Sequence, residues 1–244
     1  MSMSLTDASR FVRPAVDYPE CDGNLMSDNT THGDAIEYFH GVVSSVVADD
    51  DNAFAAADHL WYYREGDPMA RVAPDVYVVF GRPKGHRGRY LQWEEKGLAP
   101  HVVFEVVSPR NRASTNNKLF LYDELGVEEY YVYDPGYDRR GRLKVENRAL
   151  RGFRRNAAGR AEIVENAIGS SSGRLGIRFD WDEEGLLLLL RSDGSAFPRY
   201  TAALAQATAA EGQTRAAEAR AASLQAQLDR LRKLGVDVDS GADV

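Results

Sequence analysis

The chain has 244 residues, 43% hydrophobic and 27% charged, enough for one sizeable domain with an appendage. Its formal net charge of −7 argues against a protein that coats nucleic acid through bulk charge. A lone cysteine, Cys21, excludes an internal disulfide framework and any cysteine-built zinc site, and suits a reducing cytosol. The longest pure apolar run, Leu186 to Leu190, is a strand's length, and Met1 to Pro14 lacks a hydrophobic signal core. A cytoplasmic location and no membrane partner are therefore expected.

Residues 1–30 are polar, turn-rich and aperiodic, which predicts a loose N-terminal arm. Thr31 to Ala48 reads as a helix capped at Thr30 or Thr31, with Ile36, Phe39, Val43, Val46 and Val47 at helical spacing. It carries His32, Asp34, Glu37 and His40, which an exposed polar face alone would explain. Ala53 to Tyr63 suits a strand, and Val72 to Phe80 a second, with Asp75 at the head of its apolar run. Gly81 to Pro100 is a long glycine-bearing loop, of a length that is usually functional or mobile. Arg82, Lys84, Arg87 and Arg89 cluster in it. A second basic stretch runs from Arg139 to Arg160. Each is either a solvated face or a phosphate-contacting surface.

His101 to Ser108 reads as a buried strand with one carboxylate in its middle. Val103, Glu105 and Val107 share one face, and Val102, Phe104 and Val106 the other, so both faces are apolar. An ionised glutamate there costs several kcal/mol unless a cation or hydrogen bonds compensate it. A salt-bridge partner and a metal site both satisfy that requirement. Ser114 or Thr115 caps a predicted helix from Asn116 to about Leu125, closed by Gly126, with Lys118, Tyr122 and Leu125 on one face. Glu128 to Asp134 is a further strand, and the strand–helix–strand order predicts a parallel pair. Gly141 to Phe153, Ala161 to Asn166 and Leu175 to Trp181 read as shorter strands of the antiparallel part of one mixed sheet, and Leu186 to Arg191 as the last strand.

From Pro198 the composition turns to Ala, Arg, Glu, Gln and Leu. Tyr200, Ala203, Ala207, Ala210, Thr214, Ala217, Ala221, Leu224, Leu228 and Leu231 follow the three-and-four spacing of a coiled-coil seam, though a single solvated helix also fits. The expected organisation is an arm (1–30), an α/β core domain with a mixed sheet (31–197), a long helix (198–234) and an acidic tail (235–244).

Asp75, Glu105 and Lys118 form the chemically suggestive set. Two carboxylates on neighbouring strands can hold a small hard cation, and Mg²⁺ accepts one or two carboxylates plus water and phosphate oxygens. A nearby ammonium can orient water and neutralise charge on a phosphodiester. Spacing alone leaves a buried Glu105–Lys118 ion pair as an equal explanation. No G-x-S-x-G, Walker-type loop or His-rich metal spacing competes.

The segments Val72-Ala73-Pro74-Asp75-Val76, Phe104-Glu105-Val106-Val107-Ser108-Pro109, Lys118 with Tyr122, and Gly126 to Pro135 resemble the Uma-two family of endonuclease-like bacterial proteins. That family is a branch of the PD-(D/E)XK restriction-endonuclease-like superfamily. The resemblance runs from Thr31 to about Gly194. It implies a restriction-endonuclease-like core with flanking helices and Mg²⁺-dependent hydrolysis of nucleic-acid phosphodiesters, with Mn²⁺ as a substitute and DNA as the expected substrate. By resemblance, Asp75 and Glu105 are metal ligands, with the Val106 carbonyl a third. Position 107, where the motif's lysine ordinarily stands, holds Val107, and Lys118 on the next helix takes that role. Relatives often carry an acid about four places before this lysine, where this chain has Ser114-Thr115-Asn116-Asn117. His32 and Tyr122 are supporting candidates, and Arg82, Lys84, Arg87 and Arg89 candidate nucleic-acid contacts. A homodimer or higher homo-oligomer is expected, since nucleases of this fold often pair subunits to cut two strands. The competing expectation is an inactive scaffold that self-associates through its C-terminal helix.

Overall fold

The computed structural model describes residues 16–21, 23 and 28–233. In chain order its elements are α1 (Thr30–Val46), β1 (Ala53–Ala57), β2 (Trp61–Tyr62), β3 (Arg71–Val72), β4 (Val76–Phe80), β5 (Tyr90–Leu91), β6 (Val102–Val106), α2 (Arg112–Glu124), β7 (Glu129–Asp134), β8 (Ala149–Arg155), β9 (Ala161–Val164), β10 (Arg178–Trp181), β11 (Leu187–Leu190) and α3 (Tyr200–Lys233).

Six strands form the main sheet in the order β1-β4-β6-β7-β8-β9. Its neighbours are antiparallel except β6 and β7, which run parallel with α2 as their connection, so the fold is the expected mixed α/β arrangement. Alternation along β6 explains the layering. Val102, Phe104 and Val106 pack into a core with Ile36, Phe39, Val42 and Val43 of α1. Val103 and Val107 join a second core with Tyr122 of α2, Tyr130 and Phe153. Each such side chain contributes about 1.5–3 kcal/mol on burial, which makes a one-residue register slip prohibitive.

Several boundaries differ from the sequence expectation, for local reasons. α1 is capped by Asn29, whose side chain accepts the His32 N–H at 3.0 Å, rather than by Thr30 or Thr31. The 53–63 strand divides at Asp58, whose φ of 43° is left-handed and which is one of the few non-glycine types that tolerates it. The 72–80 strand divides at Ala73–Asp75, because Pro74 has no N–H to give a ladder. β2, β3 and β5 form a separate three-stranded sheet, so the 81–100 loop contains a strand. α2 starts at Arg112, four residues earlier than expected, and Gly126 closes it at φ 91°. Residues 141–148 are a hairpin arm and a short 3-10 turn rather than strand. β10 and β11 pair only with each other, as a two-stranded sheet apart from the main one.

Where the sequence suggested a loose arm, Tyr18 packs on Tyr62 and Trp93 with ring centroids 5.1 Å apart in both cases, and Tyr62 Oη donates to the Pro19 carbonyl at 2.7 Å. Residues 1–15, 22 and 24–27 of that arm and the 235–244 tail lie outside the described residues.

Gly152 on β8 is required by close approach: a Cβ there would overlap the Tyr130 carbonyl oxygen. Gly152→Ala is expected to cost about 1–3 kcal/mol, measured by urea unfolding. An unchanged midpoint would contradict this packing.

The chain divides into two compact units between Phe197 and Pro198. The second holds α3, a single helix of 34 residues, exposed throughout residues 207–230.

Candidate active site

Glu105 is the last residue but one of β6, with no solvent exposure, on the face covered by α2. Lys118 lies one helical turn before Tyr122, so both side chains descend on the same carboxylate. Lys118 Nζ donates to Glu105 Oε1 and Oε2 at 2.8 and 2.9 Å, and Tyr122 Oη donates to Oε1 at 2.7 Å. Tyr122 is itself fixed by stacking on Trp61 (centroids 6.0 Å, 5° between planes) and an edge contact with Tyr130. Burial pushes the Glu105 carboxyl above its ordinary value; the Lys118 ammonium opposes this and the Asp75 charge adds to it. Burial works against the Lys118 ammonium too, but the charges of Glu105 and Asp75 outweigh it and hold its pKa above the ordinary lysine value.

Asp75 immediately precedes β4. The antiparallel register pairs Val76 with Phe104, so the next position sets Asp75 opposite Glu105. Asp75 Oδ2 accepts the Val106 N–H at 2.6 Å and lies 3.6 Å from His32 Nε2. The His32 imidazole of α1 reaches the same strand end, with Nε2 3.1 Å from the Val106 carbonyl. The Asp28 N–H points at His32 Nδ1 at 3.4 Å, which assigns the proton to Nε2 as donor to Val106. Burial lowers the His32 pKa, but Asp75, Asp28 and the Val106 carbonyl raise it above the ordinary imidazole value.

Asp75, Glu105, Lys118, Tyr122, His32 and the Val106 peptide thus meet at one strand end. Three further residues there were not singled out from sequence. Asn111 donates to the Val106 carbonyl at 2.9 Å and accepts the Ser108 N–H at 2.7 Å, closing the Ser108–Asn111 turn. Asp28 accepts from the Ser108 hydroxyl and from Arg110. Asp58 gives its N–H to the Asp75 carbonyl at 3.1 Å, and its charge adds to the field favouring the Lys118 ammonium. For Asn111 a signal was available, an Asn two places after Pro109 at a strand–helix junction. For the other two there was none.

The donor set fits a small hard cation in part. Among the described residues no group of three His, Cys, Asp or Glu side chains could hold a metal ion. Two carboxylates are what Mg²⁺ asks of a protein that leaves the remaining positions to water and phosphate.

The cations of the basic loop are engaged within the chain. Arg82 and Arg87 both pair with Glu95, at 2.5 and 2.7 Å, and Arg89 with Glu20 at 3.2 Å. Lys84 bonds the Ala48 carbonyl. Burial raises the Glu95 pKa, but the two guanidiniums prevail and hold it below its ordinary 4.5. A depressed carboxylate stabilises above its unfolded pKa and loses that contribution as pH falls through the folded value. Amide exchange in the 81–100 loop is therefore expected to quicken, relative to the core, below about pH 4.5. Glu95→Gln should abolish that step; a step that survives contradicts the assignment.

With this geometry in hand, comparison with known proteins places the chain. A model of the Uma2 family, described as "Putative restriction endonuclease", matches residues 8–181. The chain belongs to the Uma2 family. All nine of the site residues above fall inside the matched segment. A solved structure titled as a "putative nuclease belonging to DUF820" from Anabaena variabilis ATCC 29413 is similar at 16% identity and a TM-score of 0.40, over 57% of this chain and 69% of that one. No curated protein matches the chain. Uma2 membership makes this chain one of a nuclease family, with nucleic acid as the family's substrate class. Among the described residues no helix is long and apolar enough to cross a membrane.

Proposed function

We propose that this Uma2 protein is a Mg²⁺-dependent endonuclease of the cytoplasm that hydrolyses DNA phosphodiesters, with Asp75 and Glu105 as metal ligands and Lys118 as the catalytic cation. The observation that carries it is the opposition of Asp75 and Glu105 across β4 and β6, with the Lys118 ammonium on Glu105. A divalent ion held there would act as a Lewis acid toward a phosphoryl oxygen, and Mn²⁺ would substitute. The Val106 carbonyl would join the two carboxylates by giving up its bond to Asn111 or His32.

The chain's own residues do the rest. Lys118 Nζ, on releasing one Glu105 oxygen, donates to a non-bridging oxygen of the phosphodiester and orients the attacking water. Tyr122 keeps Glu105 Oε1 in place during that exchange. His32 and Asn111 hold the strand end, so that Asp75 and Glu105 keep their mutual position. The apolar packing around Glu105 excludes bulk water and strengthens each charge interaction.

A second reading has one observation in its favour. Lys118 and Tyr122 already hold both oxygens of Glu105. A scaffold that keeps the fold and self-associates through α3 would be built the same way. On α3, Leu224 and Leu228 are 53% and 38% exposed and four residues apart, a seam that a second copy would cover in a homodimer. Cleavage of plasmid and linear duplex with Mg²⁺ or Mn²⁺ separates the readings. Product that depends on the metal and disappears in Asp75→Asn supports the nuclease. Equal background in both proteins removes it.

A further inference from the structure

A hairpin between β7 and β8 takes no part in the site as described, yet it is anchored to that site from both sides. Its arms meet at the Tyr137–Leu143 bridge. The tip is stiff: the Asp138 carbonyl accepts the Gly141 N–H at 2.9 Å, and Asp138 Oδ1 accepts the N–H groups of Arg140 and Arg142 at 2.8 and 3.0 Å. At its base, Tyr137 Oη donates to Asn29 Oδ1 at 2.9 Å, the oxygen that also accepts the His32 N–H. Arg112, at the start of α2, donates to the Tyr137 carbonyl at 3.0 Å and pairs with Asp134 at 2.8 Å. A Cβ on Gly141 would lie 3.5 Å from Pro109 Cγ, so the tip stands against the turn that holds the Val106 carbonyl.

The charge on this hairpin is largely uncompensated. Asp138 pairs with Arg142 at 2.9 Å. Arg139, Arg140 and Lys144 are exposed, and their side chains meet no carboxylate among the described residues. Arg110, beside Pro109, is also exposed, with Asp28 3.4 Å away. By contrast Arg82, Arg87 and Arg89 of the other basic loop each have a glutamate partner. In a chain of net charge −7, a cluster of unpaired cations beside a two-carboxylate site offsets the repulsion those acids exert on phosphate.

We propose that the 137–144 hairpin is a backbone-binding finger, in which Arg139 and Arg140, helped by Lys144 and Arg110, contact phosphates of double-stranded DNA beside the bond held at Asp75 and Glu105. This rests on the nuclease reading above and adds to it the surface that holds the substrate. Such contacts are independent of base sequence and release counterions, so they show in the salt dependence of binding.

The test uses the full chain, Arg139→Ala/Arg140→Ala, and Lys96→Gln, at an exposed lysine of the other loop, as the comparison. Each is titrated onto a labelled mixed-sequence DNA duplex by fluorescence anisotropy, with Ca²⁺ to neutralise the carboxylates, from about 50 to 200 mM KCl. The double variant should bind about tenfold or more weakly at the low-salt end, with a salt slope shallower by about two, whereas Lys96→Gln should match the wild type. Its melting temperature and Mg²⁺-binding heat should stay unchanged, which separates lost contacts from lost folding. Equal affinity and slope in wild type and double variant overturn the finger and leave the nuclease reading standing. No duplex binding by the wild type overturns both. Tighter binding to an RNA duplex of the same sequence overturns the commitment to DNA.

Discussion

Lys118→Met is expected to lower the unfolding free energy by about 3–5 kcal/mol at neutral pH, more than any other single change at the site. The loss comes mainly from what stays behind. Glu105 is wholly buried, and without the ammonium it keeps one neutral donor, Tyr122, and the repulsion of Asp75. Lys118 has a side-chain exposure of 24%, so its own desolvation is incomplete and the larger penalty falls on the carboxylate. Two results should accompany the drop. Glu105→Gln/Lys118→Met should recover much of it, because the double change leaves no unpaired charge. In Lys118→Met alone, Mg²⁺ should raise stability by about 1.4 kcal/mol at ten times its Kd, since an uncompensated acid pair recruits a cation. Urea unfolding with and without metal measures both. A Lys118→Met protein as stable as the wild type would mean that the pair does not exist in solution.

The second large effect is on cleavage. Asp75→Asn is expected to reduce the rate by about 10²–10³-fold, the scale of removing one charge-stabilising group from a water-excluded site. It is a cleaner probe than Glu105→Gln. The amide oxygen of asparagine can still accept the Val106 N–H, and loss of the Asp75 charge relieves repulsion on Glu105, so folding is preserved. Glu105→Gln instead strands the Lys118 ammonium, and its inactivity would be confounded by instability. The expected pattern for Asp75→Asn is a fall in kcat with an intact melting temperature. If kcat holds and only KM rises, Asp75 positions substrate and the metal assignment fails.

Much of this arrangement was legible in the chain. Two-residue alternation in β6 put Glu105 on one face with Val103 and Val107, and the structure keeps that division. The order of Asp75, Glu105 and Lys118 along a strand, a strand and a following helix required them to converge once β6 and β7 were parallel. Local pattern could not show what depends on long-range closure. His32 reaches the Val106 carbonyl across 74 residues, and Asp28 reaches Ser108 across 80. Arg82 and Arg87 read as free cations because their shared partner, Glu95, is brought back by the fold of the 81–100 loop. β2, β3 and β5 have two residues each, too short for any periodicity to reveal. The basic hairpin is a further case: its charges were visible, but its position depends on Tyr137 finding Asn29 and on Gly141 fitting against Pro109.

The most direct measurement is calorimetric titration of Mg²⁺, repeated with Mn²⁺, into the wild-type full chain and Asp75→Asn, with the fold of each checked by its melting temperature. Saturable binding of one ion per site in the wild type, lost in a folded Asp75→Asn, is the predicted result. A wild type with no saturable heat for either ion would contradict the account and leave Glu105 and Lys118 as a structural ion pair in a scaffold.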